Sequence, residues 1–220
     1  MRAAPPARAA AVVSLLPAPD GRAGDPARVV GPVQRARDHD QRVVDGALVT
    51  GREAVVRVRE ATYDDWSVIW PFFRRIVADG ETYAFPEDLT EESGREWWME
   101  QPPGRTFVAV DADDTVLGSA KSGPNRPGRG SHVSTASFMV DPDHGGRGVG
   151  RLLAEHVLRW AGEQGYASMQ FNAVVETNTA AVALWRSVGF EVVGTVPEAF
   201  DSATHGRVGL HVMWRRLTQP

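Results

Sequence analysis

Apolar residues along this chain change their spacing several times, and each change marks an element. Val56 and Val58 alternate with Arg57 and Arg59 as in a strand over residues 55–59. Trp66, Ile69, Trp70, Phe73 and Val77 then recur at helical spacing, with Asp64 or Asp65 positioned to cap the helix. Pro71 lies inside that pattern and predicts a kink or an early break. Residues 80–86 read as a loop, and Thr90 or Ser93 starts a second short helix carrying Trp97 and Trp98. Strands are predicted over 106–111 and 115–122, joined by a tight turn at Asp113 and Asp114. Residues 123–130, rich in proline and glycine, form a loop before a strand over 132–140. A helix over 148–164 gathers Leu152, Leu153, Val157, Trp160 and Ala161 on one face. A strand over 168–175, a helix over 179–187 and strands over 190–196 and 208–216 complete the pattern. The order β-α-α-β-β-β-α-β-α-β-β predicts an α/β domain with a mixed central sheet flanked by helices, spanning residues 53–220.

Residues 1–52 are rich in Ala, Pro, Arg, Asp and Gly, and 18–40 have almost no apolar periodicity. Such a segment buries too little surface to offset the entropy of ordering it, so 1–52 is expected to be a disordered tail, with a short strand near 43–49 as its one exception. The apolar stretch 9–16 follows Arg8, ends at Pro17 and leads to no clear cleavage site, so a secretory signal is not expected. No apolar run approaches the roughly 20 residues of a membrane-spanning helix. The formal net charge of −4 gives no basic face for a nucleic-acid backbone. With no cysteine in the chain, disulfides, thiolate metal sites and a cysteine nucleophile are excluded, and the expected location is cytoplasmic. His132, His156, His205 and His211 lack metal-ligand spacing, so no metal site is expected.

The most informative segment is 140–151, which joins a strand to an amphipathic helix and contains Gly145, Gly146, Arg147, Gly148, Val149, Gly150 and Arg151. Glycines let a backbone approach a ligand and adopt φ values other residues avoid. The first N–H groups of the helix have no internal partner and sit at its positive end, a combination that binds phosphate. Arg147 and Arg151 add charge. The segment lacks the Gly-Lys-Ser/Thr of a P-loop and the G-x-G-x-x-G register of a dinucleotide fold. A plain strand-to-helix turn is the alternative.

This segment resembles the pyrophosphate loop of the GNAT acetyltransferase superfamily, Q/R-x-x-G-x-G/A, with Gly148 and Gly150 on its two glycine positions and Gly145 departing from its leading Gln/Arg. About 30 residues on, the run from Asn178 through Ala181 and Trp185 to Gly189-Phe190 is similar to the family's N-x-x-A-x-x-L/F-Y-x-x-x-G-F segment. The resemblance implies the GNAT fold, acetyl-CoA as cosubstrate, and direct acetyl transfer to an amine. It implies that Asn178, Ala181 and Trp185 lie along the CoA arm, and that backbone N–H groups near Met139 and Val140 meet the oxyanion. Asn178 reads equally well as a helix N-cap. The family usually has a tyrosine at position 185 as the acid for the departing thiolate; an indole N–H donates a hydrogen bond but is no practical acid. Trp185 therefore reads either as a wall for the pantetheine arm or as a core residue.

Residues 80–84, 124–133, Phe171-Asn172 and 194–200 narrow the resemblance to a microbial subgroup similar to fungal acetyltransferases that act on proline analogues such as azetidine-2-carboxylate. It implies a small-molecule amine as substrate, with Asn172 holding it and the loop of Glu81, Thr82 and Tyr83 covering the acceptor pocket. Asn172 also reads as a satisfied sheet amide, and the loop as an ordinary solvated one. Glu176 is the candidate general base, directly or through water, or else a carboxylate at a strand end. Asp141 and Glu81 are lesser candidates. A lysine-like amine of pKa about 10.4 is neutral only about once per thousand molecules near pH 7.4, whereas an α-amine of pKa about 8 needs far less help. Protein or peptide N-acetylation and a silent acetyl-CoA-binding module are the competing readings. By analogy with GNAT domains a homodimer is expected.

Overall fold

A computed structural model of the protein describes residues 42–44, 47–49 and 56–217. Most of the tail expected over 1–52 lies outside the described residues. Within it, β1 (Arg42–Val44) and β2 (Ala47–Val49) pair antiparallel as a hairpin, where the sequence suggested a single strand.

The domain is built on a seven-stranded mixed sheet in the order β3-β4-β5-β6-β7-β9-β8. The strands are β3 (Arg57–Glu60), β4 (Arg105–Val110), β5 (Val116–Pro124), β6 (Val133–Val140), β7 (Ser168–Val175), β8 (Glu191–Ser202) and β9 (Gly206–Arg216). Helices α1 (Trp66–Ala78) and α2 (Glu91–Trp98) cover one face, and α3 (Val149–Glu163) and α4 (Thr179–Ser187) the other. Alternation along the central strands feeds two cores. Ala136, Phe138 and Val140 of β6 join Leu153, Val157 and Ala161 of α3, while Met139 joins Ile69, Phe73 and Trp98 on the α1/α2 side. Leu153 and Val157 are fully buried, and burying such a side chain contributes about 1.5–3 kcal/mol.

Three local expectations are corrected. Helix α1 runs unbroken through Pro71. Pro71 faces solvent, so water can satisfy the carbonyl its missing N–H abandons, while Ile69, Phe72, Phe73 and Ile76 anchor both sides of it in the core. Asp65 does not cap α1 forward; its carboxylate turns back to Thr62 N–H (2.6 Å) and Arg59. Strand β8 continues past Val196 through Pro197 to Ser202. It is the sheet edge, where a proline breaks no ladder bond, and its register shifts between Val196 and Phe200. Thr90 caps α2 as expected, accepting from Ser93 N–H (3.2 Å).

Candidate active site

Strands β6 and β7 each run eight residues in parallel, yet they pair only at Val133↔Ser168 and Ser134↔Met169. Beyond that point they diverge, and among the described residues the β6 edge facing β7 has no strand partner. Which groups line that edge follows from the β5–β6 ladder. Asn125 N–H donates to Val133 O (2.8 Å) and Asp141 N–H to Leu117 O (3.0 Å), and both pairs extend one unbroken register. Hydrogen-bonded pairs alternate along an antiparallel ladder. The backbone groups of Thr135, Ser137 and Met139 therefore face β5, and those of Ala136, Phe138 and Val140 face the gap. Of the two residues expected to present such N–H groups, Val140 turns its N–H to the gap. Met139 does not, because its N–H belongs to the β5 ladder and its side chain to the α1/α2 core; Phe138 is the second residue presenting an N–H to the gap.

The loop after β6 has the backbone its glycines imply. Asp141 starts a short 3-10 turn and accepts from Asp143 N–H (3.1 Å). Gly146 (φ 74°) and Gly148 (φ 76°) are left-handed, which costs other residues roughly 1–2 kcal/mol. A Cβ at Gly146 would meet no atom within 4 Å, so the space over the loop is open. The first α3 bond runs from Leu152 N–H to Gly148 O (3.1 Å). The amides of Val149, Gly150 and Arg151 precede that ladder at the positive end of the helix, a cradle for phosphate oxygens. Arg151 lies on the α3 surface against Ser187 Oγ (2.7 Å), and Arg147 approaches His144 Nδ1 (3.4 Å). Both arginines flank the loop.

On the α3/α4 side, Trp185 closes the bottom of the gap. Its ring lies 4.8 Å from Phe138 of one diverging strand and 4.8 Å from Phe171 of the other. It is fully buried, and its Nε1–H has no hydrogen-bond partner among the described residues. Asn178 caps α4, its Oδ1 accepting from Ala181 N–H (3.1 Å), and Ala181 is fully buried. Phe138, Phe171 and the α4 face thus supply an apolar wall to a slot whose edge carries amides that no described strand pairs. A chain with its own amide groups fits there as a missing strand would.

On the opposite side, Asn172 Nδ2 donates to Asn125 Oδ1 (2.7 Å), and Gln170 Nε2 donates to Asn172 Oδ1 (2.8 Å). Asn125 was a loop residue without an assigned role in the sequence; this contact, across 47 positions, brings it to the site. The buried hydroxyls of Thr135 and Ser137, side chains on the α1/α2 face of β6, have no partner among the described residues.

The loop at Glu81, Thr82 and Tyr83 is a strap. Glu81 Oε2 accepts from Ser202 Oγ (2.6 Å), Glu81 Oε1 from Thr204 N–H (2.8 Å), and Gly80 O from Ala203 N–H (3.1 Å). Burial pushes the Glu81 carboxyl up, but the bonds from Ser202 and Thr204 outweigh it and hold the group below its usual range. At the other end, Tyr83 donates its hydroxyl proton to Phe138 O (2.7 Å). A cleft of about 420 Å³ lies between this strap and β8, lined by Val77, Tyr83, Phe85, Glu87, Phe200 and Asp201 among others. Glu81 and buried Thr82 do not line it. Glu176 is also engaged elsewhere, its Oε1 accepting from Gly209 N–H (2.5 Å) at the join of β7 and β9. A larger cavity of about 630 Å³ lies away from the gap, between α3 and the end of α4, where Arg151, Arg159 and Arg215 are interleaved with Glu155 and Glu163. Among the described residues no His, Asp or Glu cluster is arranged to hold a metal, and no helix is long and apolar enough to cross a membrane.

A sheet parted between two parallel strands, with a glycine-cradled helix N-terminus beside the parting, is the arrangement that the resemblance to acyl-CoA-dependent transferases implies. The chain matches the profile of the Acetyltransferase (GNAT) family over residues 63–190, and it belongs to that family. It is similar to a solved GCN5-related N-acetyltransferase from Kribbella flavida, 60% identical with a TM-score of 0.72, covering 74% of this chain and 98% of that one. N-acetyltransferase aca1 of Schizosaccharomyces pombe is 35% identical over 147 residues, 60% of this chain and 70% of the relative. The L-methionine sulfoximine/L-methionine sulfone acetyltransferase of Pseudomonas paraeruginosa is 29% identical over 145 residues, 64% of this chain and 83% of that enzyme. The protein is a GNAT-type N-acetyltransferase with the GNAT fold, and its cosubstrate is acetyl-CoA.

Proposed function

We propose that the protein acetylates the primary or secondary amine of a small, amino-acid-like molecule by direct transfer. The observation that carries this reading is the strap. Glu81 is latched to the β8–β9 hairpin and Tyr83 to β6, so the acceptor side is bridged over rather than open as a groove for a polypeptide. The remaining cleft of about 420 Å³ suits a small molecule, and Glu87 and Asp201 in its lining favour a cationic amine. Asn125, Asn172 and Gln170 offer amides of both polarities for a carboxylate or amine. In this reading the pyrophosphate rests on the amides of Gly146, Gly148, Val149 and Gly150, with Arg147 and Arg151 nearby. The pantetheine arm lies along Ala136, Phe138 and Val140 with Ala181 and Trp185 beneath it, and Asn178 at the start of α4. Acetyl-CoA supplies the activated acetyl group. The Val140 and Phe138 N–H groups polarise its carbonyl, and one such donor is worth roughly 3 kcal/mol.

The residues along 80–84, 124–133 and 194–200 resemble proline-analogue acetyltransferases, and a relative bears the name of methionine sulfoximine and sulfone. Both support α-amino acids with unusual side chains as acceptors. An α-amine of pKa about 8 is appreciably neutral near pH 7.4, consistent with Glu176 acting as a strand-end anchor rather than as a strong base. The test is CoA release from acetyl-CoA against proline analogues, amino acid analogues, polyamines and short peptides. Turnover confined to the amino-acid-like group is the expected result. Turnover only with peptides, or tight acetyl-CoA binding without turnover, overturns it.

A further inference from the structure

We infer that Tyr83 is the proton donor to the departing CoA thiolate, an inference that rests on the acetyl-CoA placement proposed above. Trp185 closes the gap from below and offers only an indole N–H, which hydrogen-bonds without serving as an acid. A phenol reaches the same gap from the other face. The Tyr83 hydroxyl lies 2.7 Å from Phe138 O, and the β5–β6 register turns that carbonyl toward the unpaired edge rather than toward β5. The hydroxyl therefore stands beside the strand segment whose amides face the acyl group. Its ring is fixed there by stacking on Phe85 (4.8 Å between centroids) and an edge contact with Trp98 (6.1 Å). The residue also lines the acceptor cleft, so it borders both substrates. Rotation about its C–O bond carries the proton from Phe138 O to a sulfur in the gap, with no movement of the ring.

The step balances as follows. The neutral amine nitrogen forms a bond to the acetyl carbon, the carbon–sulfur bond breaks, and its electron pair goes to sulfur. Sulfur takes the Tyr83 proton. The nitrogen, cationic after attack, releases its surplus proton to water, and water returns a proton to the phenolate. A phenol O–H is a proton donor and a thiolate a proton acceptor, so the proton can pass as charge builds on sulfur.

The test is Tyr83→Phe, which keeps the stacked ring and removes only the hydroxyl. The expected outcome is a kcat lower by on the order of 100-fold, a KM for acetyl-CoA changed by less than about threefold, and loss of the alkaline fall in kcat. Independently of turnover, the thiol of bound CoA, titrated by thiolate absorbance, should ionise at lower pH in the unmodified enzyme than in Tyr83→Phe, because the hydroxyl stabilises the thiolate. Should the phenylalanine variant unfold, 3-fluorotyrosine at position 83 preserves the packing and should move the alkaline limb to lower pH. A variant with unchanged kcat and unchanged thiol titration overturns the role of Tyr83 while leaving the acetyl-CoA site intact. An unmodified enzyme that binds no CoA overturns the placement on which the inference rests.

Discussion

Arg75 of α1 grips the start and the middle of the short turn that opens the glycine loop, pairing with Asp141 through one nitrogen and with Asp143 Oδ2 (3.1 Å) through another. Asp141 spends the same Oδ1 on the Asp143 amide. This use of Asp141 accounts for the residue better than a catalytic base does, and it ties α1 to the glycine loop. Arg75 is partly exposed, so the pair is worth at most about 1 kcal/mol. Arg75→Ala should weaken acetyl-CoA binding by about two- to fivefold, measured by calorimetry, and the difference should shrink in high salt. A salt-independent loss would point to repacking of α1 instead.

Gly148→Glu should abolish acetyl-CoA binding while leaving the fold intact by circular dichroism. The substitution forces a left-handed φ of 76° on a residue with a Cβ and sets a carboxylate at the helix N-terminus proposed to hold phosphate. Unchanged affinity would remove the glycine loop from the cofactor site.

Asn172→Ala and Asn125→Ala should each raise the acceptor KM or lower kcat by about tenfold, with acetyl-CoA affinity unchanged, since each removes one partner of a shared amide pair and strands the other at a cost of about 1–3 kcal/mol. The double variant should be less damaging than the product of the two, because the pair is lost only once. Independent, multiplicative losses would mean the two amides do not act together.

The parts of this site readable from sequence are those whose chemistry is local. A left-handed glycine before a helix, as at Gly148, and a capping asparagine, as at Asn178, are demanded by backbone geometry within a few residues. The order of elements followed from periodicity for the same reason. What the sequence did not yield depends on register and on contacts between distant segments. Phe138 and Met139 are apolar neighbours, both buried, and only the β5–β6 pairing decides which one turns its N–H to the gap. Asn125 meets Asn172 only because the chain after β5 passes beside β7. Glu81 resembled a pocket carboxylate until its two oxygens met Ser202 and Thr204, more than 120 positions away.

Glu81→Ala should lower stability by about 2 kcal/mol, as a carboxylate that accepts two hydrogen bonds contributes in that range, and should raise the acceptor KM by opening the strap. Acid should have a related effect. The folded carboxyl is held below its ordinary 4.5, so its contribution is complete above that pH and declines as pH falls through the folded value. The melting-temperature gap between the unmodified protein and Glu81→Ala should therefore narrow on acidification; a gap that widens would contradict the latch.

Asp65 offers the sharper test of the same linkage away from the active site. It takes both guanidinium nitrogens of Arg59 at 2.8 Å, and Thr62 N–H and Oγ besides. The Arg59 bond is the largest influence, and it holds the carboxyl at about 2 against an ordinary 3.8. Its side chain is only 8% exposed, so solvent screens the pair little. A depression of this size corresponds to about 2 kcal/mol of stability. Because the folded value is the lower one, that stability is fully present above about pH 4 and is lost as pH falls toward 2. Urea unfolding of the unmodified protein and Asp65→Asn should differ by about 2 kcal/mol at pH 7, and the difference should collapse between pH 4 and pH 2. Other carboxylates titrate in that window too, but they do so in both proteins, so the difference isolates Asp65. A difference that stays constant to pH 2 would mean the variant is destabilised by lost packing at the start of α1 and not by the lost charge.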